Sequence, residues 1–365
     1  MCVIDSLCAG GAQRQIVNLA CGLKNNGHDV EMLIYHPRID FFRSEVDSAG
    51  IIIHDVIKGN GFSWKVVLKL LLLIKSNRFC TIISFLDAPN IYCELAKAII
   101  ASNITLIVSE RSSRISNPSR FYRLIHHFAD KVIVNSYNHA DWLMSFPFLR
   151  KKVNVIYNGY FINKQLQVSN INEEGNFHFL VVGRIDKGKN GIKLIEALIE
   201  LHDKFAVFPK VSWIGRQPRD MISLNARQKM EDLLSKNLSV KSNWEWVGEC
   251  SDVHERLCSC DALIHISLYE GLPNVVCEAF IAGKPVIASN VCDHPLLVED
   301  GKRGFLCDPL SPESISNSIM DFINLTPTQR KKLGENARHY AEQNLTVDRM
   351  LSVFERLFLH STLIN

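Results

Sequence analysis

The chain has 365 residues, 47% of them apolar, and its 41 Lys+Arg against 38 Asp+Glu leave a net charge of +3. That length exceeds one ordinary core and predicts two domains of a soluble globular protein. No run approaches the ~18–20 apolar residues of a membrane span, and Met1–Ser6 lacks the basic-then-apolar pattern of a signal peptide. The eleven cysteines include no C-x-x-C pair. They read as reduced, mostly buried thiols in a cytosolic protein rather than a zinc site.

Apolar strand-like runs alternate with helical patterns almost from end to end. In the first half they are Cys2–Asp5, Val30–Tyr35, Ile51–Val56, Thr81–Phe85, Thr105–Val108, Val132–Val134 and Val153–Tyr157. In the second half they are His178–Val182, Val211–Ile214, Trp244–Val247, Ala262–Ile266 and Val286–Ala288. Such alternation predicts an α/β protein with two parallel sheets covered by helices. The polar stretch Asn163–Asn176 breaks the pattern and marks the seam. The expected domains are residues 1–165 and 166–345, with 346–365 an amphipathic helix that packs back on the first domain.

Charge divides unevenly between the halves. Residues 1–165 carry 19 Lys+Arg against 12 Asp+Glu, whereas the remainder carries 22 against 26. The basic half therefore either suits an anionic partner, such as a membrane surface, a phosphorylated lipid or nucleic acid, or reflects ordinary variation of surface charge. The helical run Trp64–Lys75 is strongly apolar with lysines beside it. It is too short to span a bilayer, and is read as the cover of a buried sheet or as an interfacial helix.

Four strand ends carry candidate site residues. After the first strand, Gly10-Gly11 lets backbone N–H groups approach an anion at a helix start, or simply makes a tight turn. Ser109-Glu110-Arg111 ends another strand of the basic half, either lining a cleft or forming a surface ion pair. His178–Val182 runs into Gly183-Arg184 and then Lys187-Gly-Lys189-Asn190, a cluster of cations where open α/β sheets bind ligands. Arg184 offers a bidentate fork and Lys189 a point charge, both suited to a diphosphate. Finally, Ala262–Ser267 leads into Glu270-Gly271-Leu272-Pro273-Asn274-Val275, and Glu278 follows inside the next helix.

Pro273 suits the first helical position, and the helix is expected to run to Gly283. Its first N–H groups form an anion site. Glu270 and Glu278 either hold hydroxyls on the two sides of a bound diphosphate, or serve as a dipole partner and an exposed helix residue. No D-x-D occurs, so a metal held between paired carboxylates is not implied.

Taken in order, these motifs resemble glycosyltransferase family 4, whose members have the two-domain GT-B fold, in particular bacterial members that build surface polysaccharides or lipid-linked glycans. The matching residues are Gly10-Gly11-Ala12, Asn158-Gly159, Gly183-Arg184 with Lys189-Asn190, Trp246-Val-Gly248, Ser267 with Glu270-Gly-Leu-Pro, and Glu278-Ala with Ala282-Gly-Lys-Pro-Val286. The resemblance implies two Rossmann-like domains facing a cleft and retaining, metal-independent transfer from a nucleotide-sugar, expected to be a UDP-sugar. The acceptor would be a glycan or a polyprenyl-diphosphate-linked glycan, at the inner membrane face.

Arg184 and Lys189 are then the diphosphate clamp, Glu270 lies near the donor sugar, and Glu278 grips the ribose. Backbone groups of Gly10, Gly11, Gly248 and Gly271–Val275 complete the donor site, and Glu110 joins Glu270, Arg184 and Lys189 as a catalytic candidate. Three places depart from the family: Arg216-Gln217 after Gly215, Asp293-His-Pro-Leu296, and Glu110-Arg111 where many members have histidine. A GT-B nucleotide-sugar epimerase and a non-catalytic nucleotide-sugar-binding subunit are the competing readings. No nucleic-acid partner is expected.

Overall fold

The computed structural model describes residues 1–76, 79–100, 103–111, 118–162 and 176–362. The chain forms two compact units, Met1–Phe161 with the chain from Leu345 onward, and Ile162–Asn344. Most of the expected seam, residues 163–175, lies outside the described residues.

The first unit contains β1 (Cys2–Val3), α1 (Gly11–Asn25), β2 (Glu31–Ile34), α2 (Arg43–Ser48), β3 (Ile52–Asp55), α3 (Trp64–Lys75), β4 (Thr81–Phe85), α4 (Asp87–Ile100), β5 (Thr105–Glu110), β6 (Lys131–Val134), α5 (Tyr137–Met144) and β7 (Val153–Val155). All strands are parallel, in the order β3-β2-β1-β4-β5-β6-β7. Central strands buried on both faces explain the continuous apolar runs of the sequence.

The second unit contains β8 (His178–Val182), α6 (Gly191–Phe205), β9 (Lys210–Ile214), α7 (Met221–Lys236), α8 (Leu238–Ser242), β10 (Trp244–Gly248), α9 (Val253–Ser259), β11 (Ala262–His265), α10 (Asn274–Ile281), β12 (Val286–Ser289), α11 (His294–Val298), β13 (Gly304–Cys307), α12 (Pro312–Ile323) and α13 (Pro327–Asn344). Its parallel order is β10-β9-β8-β11-β12-β13. The sequence pattern missed β13. It is an edge strand with a half-buried middle, and its opening glycine weakens the strand signal.

The last helix, α14 (Val347–Thr362), packs on α1 in the first unit. Val347, Met350, Leu351 and Phe354 join a core with Ile16, Leu19 and Leu23, a set spaced along one helical face. Gly159 explains itself here: a Cβ at this position would meet the Val347 Cα at 2.9 Å. Its N–H donates to Gln15 Oε1 at 2.8 Å and its carbonyl accepts from Asn18 Nδ2 at 3.2 Å.

In each sheet the chain reverses direction beside the first strand of the unit. The switch points therefore lie between β1 and β4, and between β8 and β11. Ligands of doubly wound sheets bind beyond the carboxyl ends of the strands at such points.

Candidate active site

The loops leaving β8 and β11 meet at the second switch point. The Leu268 N–H donates to the Gly188 carbonyl at 2.9 Å. Asn190, held in a left-handed conformation at φ 58°, spans the junction by donating from Nδ2 to the carbonyls of Ile266 and Pro309. Asp186 caps the short turn Lys187–Lys189 by accepting from the Lys189 N–H at 3.1 Å.

Behind this turn, Trp213 Nε1–H donates to the Gly183 carbonyl at 2.8 Å. A Cβ at Gly215 would lie 1.9 Å from that same carbonyl oxygen, and one at Gly183 would meet Lys189 Cε at 2.9 Å. Close approach therefore explains both glycines.

This scaffold brings Lys189 to Glu270. Lys189 Nζ donates to Glu270 Oε1 at 2.5 Å, and His265 Nε2 lies 3.1 Å from the same oxygen. Oε2 has no partner among the described residues. Burial by itself would raise the Glu270 carboxyl, but the His265 hydrogen bond and the Lys189 charge outweigh it and hold the group well below the usual carboxylate range. Glu270 is thus an oriented carboxylate with one oxygen anchored and the other available.

His265 is itself fixed from behind. Its Nε2 lies 3.3 Å from Ser267 Oγ, and its ring packs edge-on against His294 at 5.3 Å. His294 Nδ1–H donates to the Ser289 carbonyl at 2.8 Å, and Ser289 Oγ donates to the Ser267 carbonyl at 2.6 Å. Burial lowers both imidazoles, His294 to about 4, which favours their neutral forms. Neutral His265 donates to Glu270 only as its Nε2–H tautomer.

The helix carrying Glu278 begins one residue later than expected. Pro273 is its N-cap rather than its first residue, and Asn274 opens α10, which ends at Ile281 with Ala282 as C-cap. Leu272, Pro273 and Val275 are buried while Asn274 is exposed, and the first N–H groups of a helix have no partner within it. Glu278 is half-buried, with no hydrogen-bond or ion-pair partner among the described residues. Burial pushes its carboxyl up to about 7.

Arg184 stands apart from the Lys189–Glu270 pair. Its side chain is 65% exposed and, among the described residues, meets only Asp186, at 3.4 Å. Gly248 ends β10 in a left-handed conformation (φ 84°), its carbonyl accepting from the Gly215 N–H at 2.8 Å. Gly10 and Gly11 belong to the first unit, as the N-cap and first residue of α1.

Residues 9–163 match the family described as Glycosyltransferase Family 4, and residues 162–340 match Glycosyl transferases group 1. The chain belongs to glycosyltransferase family 4. Among curated relatives it is 30% identical over 179 residues to the lipopolysaccharide glucosyltransferase WaaG of Escherichia coli, spanning 48% of this chain and 44% of that one. It is 26% identical over 348 residues to the Campylobacter jejuni enzyme named GalNAc-alpha-(1->4)-GalNAc-alpha-(1->3)-diNAcBac-PP-undecaprenol alpha-1,4-N-acetyl-D-galactosaminyltransferase, spanning 92% and 91%. The match thus takes in under half of the first relative and nearly all of the second.

Among solved structures, a glycosyltransferase from Rickettsia africae superposes with a TM-score of 0.82 at 20% identity, covering 99% of this chain and 97% of that one. HepE of Anabaena in complex with UDP gives 0.78 at 19% identity, covering 98% and 99%. At these identities the likeness is one of GT-B fold.

Within this family 4 chain, Glu110 requires correction. Expected as a catalytic or cleft-lining carboxylate, it is fully buried at the end of β5. Arg123 donates to it from Nε at 3.0 Å and from Nη2 at 2.9 Å, His126 Nε2 lies 2.8 Å away, and His139 Nε2 lies 2.9 Å away. Burial would raise this carboxyl, but the hydrogen bonds from His126, His139 and Arg123 hold it far below its ordinary value. Glu94 closes the cluster through His126 Nδ1 at 2.5 Å. A carboxylate so enclosed holds the first unit together and has no face left for substrate.

Its neighbour Arg111 stacks over the Phe85 ring at 3.9 Å and donates from Nη1 to Asn158 Oδ1 at 2.7 Å. Sequence reasoning overlooked His265 and His294, because a histidine within or beside an apolar strand gives no signal of which residue it faces. The one available clue was the break that His265 makes in the run Ala262–Ile266.

Proposed function

We propose that this protein is a retaining, metal-independent glycosyltransferase that moves a hexosyl or N-acetylhexosaminyl group from a UDP-sugar to a lipid-linked glycan. The observation that carries the reading is the anchored Glu270 carboxylate, bonded through one oxygen to Lys189 and His265 at the β8/β11 switch point.

In this reading, Lys189 Nζ, the exposed Arg184 guanidinium and the first-turn amides of α10 face the donor diphosphate, with no divalent ion needed to balance its charge. The free oxygen of Glu270 accepts a hydrogen bond from a sugar hydroxyl. Glu278 accepts from the ribose hydroxyls, bonds that favour its ionised form. As the bond from the anomeric carbon to the β-phosphate oxygen breaks, charge accumulates on the nucleoside diphosphate beside these cations. The acceptor hydroxyl attacks the face being vacated, its proton passes to the departing phosphate oxygen, and the anomeric configuration is retained.

Two comparisons support the substrate class: the fold neighbour HepE binds UDP, and the Campylobacter relative acts on an undecaprenol-diphosphate-linked glycan by its name. The test begins with a binding screen of UDP-, GDP- and ADP-sugars. Transfer to a short diphosphate-linked acceptor, with and without EDTA, follows, and the product anomer is read by NMR. A UDP-sugar preference, EDTA-insensitive transfer and a retained anomer are expected. Inversion, loss of activity in EDTA, or isomerised donor in the absence of acceptor overturns the reading.

A further inference from the structure

Helix α3 is apolar on both of its sides. Val66, Val67, Leu70, Leu73 and Ile74 are buried against the sheet and α4. The opposite side carries Trp64, Leu68 and Leu72, one turn apart along a single stripe and exposed to 61%, 57% and 67%. A helix that packs one face on a sheet normally turns polar residues outward. Here the outward stripe is among the most apolar surface of the unit. Phe62 extends it, with its ring 5.2 Å from that of Trp64 and 5.0 Å from that of Tyr92. The Tyr92 hydroxyl accepts from the Ser63 N–H at 3.0 Å, so the entry to the helix is held in place.

The charged residues of α3 all have one sign. Lys65 and Lys75 are exposed beside the stripe, Lys69 is half-buried at its margin, and α3 contains no acidic residue. Lys58, over the Tyr35 ring that itself packs on Tyr92, adds a fourth cation. Among the described residues no helix is long and apolar enough to cross a membrane.

We infer that the outer side of α3 docks on an anionic lipid bilayer, with Trp64, Leu68 and Leu72 entering the headgroup boundary and the lysines meeting lipid phosphates. An apolar stripe bordered by lysines is the pattern of a helix lying in the interface plane. Tryptophan is favoured at that depth, and nearby lysines are attracted to an anionic leaflet. A second copy of the chain is the weaker occupant. A two-fold contact through this face sets its lysines against their own copies with no carboxylate on the helix to pair them. The inference extends the proposed lipid-linked acceptor, since docking brings the enzyme to the surface where such an acceptor resides, but it is tested without acceptor.

The experiment is co-sedimentation with vesicles of phosphatidylglycerol and phosphatidylcholine, compared with pure phosphatidylcholine. The proteins are the wild type, a Trp64→Ser/Leu68→Gln/Leu72→Gln variant and a Lys65→Gln/Lys69→Gln/Lys75→Gln variant. Binding of the wild type to anionic vesicles is expected, at least tenfold weaker for each variant and weakened by salt for the wild type. Far-UV circular dichroism and transfer to a water-soluble short-chain acceptor are expected to stay unchanged in both.

Wild-type protein that ignores anionic vesicles, or variants that bind like wild type, overturns the inference. So does a concentration-dependent dimer that the Trp64/Leu68/Leu72 variant abolishes while vesicle binding persists. Failed vesicle binding with intact transfer removes only the docking surface. Vesicle binding without transfer of any sugar removes the proposed reaction instead.

Discussion

Lys189 and Glu270, 81 residues apart in the chain, share a 2.5 Å hydrogen bond at the meeting point of the loops after β8 and β11. In the proposed reaction the ammonium that neutralises the carboxylate also faces a donor phosphate, so one ion pair would link the two ends of the donor. Replacing Glu270 by Gln keeps the shape but removes the charge. The expected result is a loss of roughly 10²–10³-fold in kcat, the scale of a removed preorganised electrostatic contact. Lys189→Ala is expected to lower kcat and donor affinity together, measured by steady-state kinetics and calorimetric UDP binding.

In the proposed reaction His265 is a positioning residue that acts through Glu270. Its Nε2–H contributes a buried hydrogen bond to a charged group, worth roughly 1.5–3 kcal/mol. His265→Leu is therefore expected to reduce kcat about ten- to a hundredfold with little change in UDP affinity. His265→Gln, which restores a donor, is expected to recover part of the loss. Equal activity in the Leu and Gln variants would remove the positioning role.

Glu278 ties stability to pH. Its carboxyl rises from 4.5 to about 7 on folding. The folded state therefore binds more protons than the unfolded chain between those values, and stability falls as pH climbs through that window. At about 1.4 kcal/mol per pH unit, Glu278→Gln is expected to raise the Tm at pH 8 and to leave it nearly unchanged at pH 4. The same variant is expected to weaken donor binding through loss of the proposed ribose contact. Thermal unfolding at the two pH values, with and without UDP, separates the effects.

The buried Glu110 cluster makes the opposite kind of prediction. Glu110→Gln leaves Arg123, His126 and His139 without their shared carboxylate, a loss of about 3–5 kcal/mol for a broken buried pair. A large fall in Tm is expected, while the fraction that remains folded transfers sugar at the wild-type rate. In His126, burial lowers the imidazole but the bonds to Glu110 and Glu94 raise it further, to about 9 from 6.5. Its stabilisation is full below 6.5 and is lost as pH rises to 9. His126→Gln is expected to flatten that part of the stability profile.

Gly215→Ala tests the scaffold behind the donor loop. The added methyl would fall 1.9 Å from the Gly183 carbonyl oxygen, so backbone must move. Because Gly183 precedes Arg184 and shelters the Lys189 stem, weaker UDP binding is expected with the sheet retained, read by calorimetry beside circular dichroism.

The sequence by itself determined the parallel α/β architecture, twelve of the thirteen strands among the described residues, and the positions of Gly183–Asn190 and Glu270–Glu278. Each of these is written in local signals: apolar runs bounded by turns, glycines at strand ends, and a proline ahead of a helix. The edge strand β13 escaped because half-burial and an opening glycine leave little local pattern.

What only the tertiary structure decided was which charges meet. Glu110 looked available at a strand end until Arg123, His126 and His139 arrived from other segments to enclose it. His265 stood only as one member of a strand-like run until the loop after β11 turned Glu270 back onto it. The sequence left α3 as a sheet cover or an interfacial helix, and only its packing showed that Trp64, Leu68 and Leu72 remain outside. Burial and charge pairing depend on neighbours distant in the chain, and no local pattern encodes them.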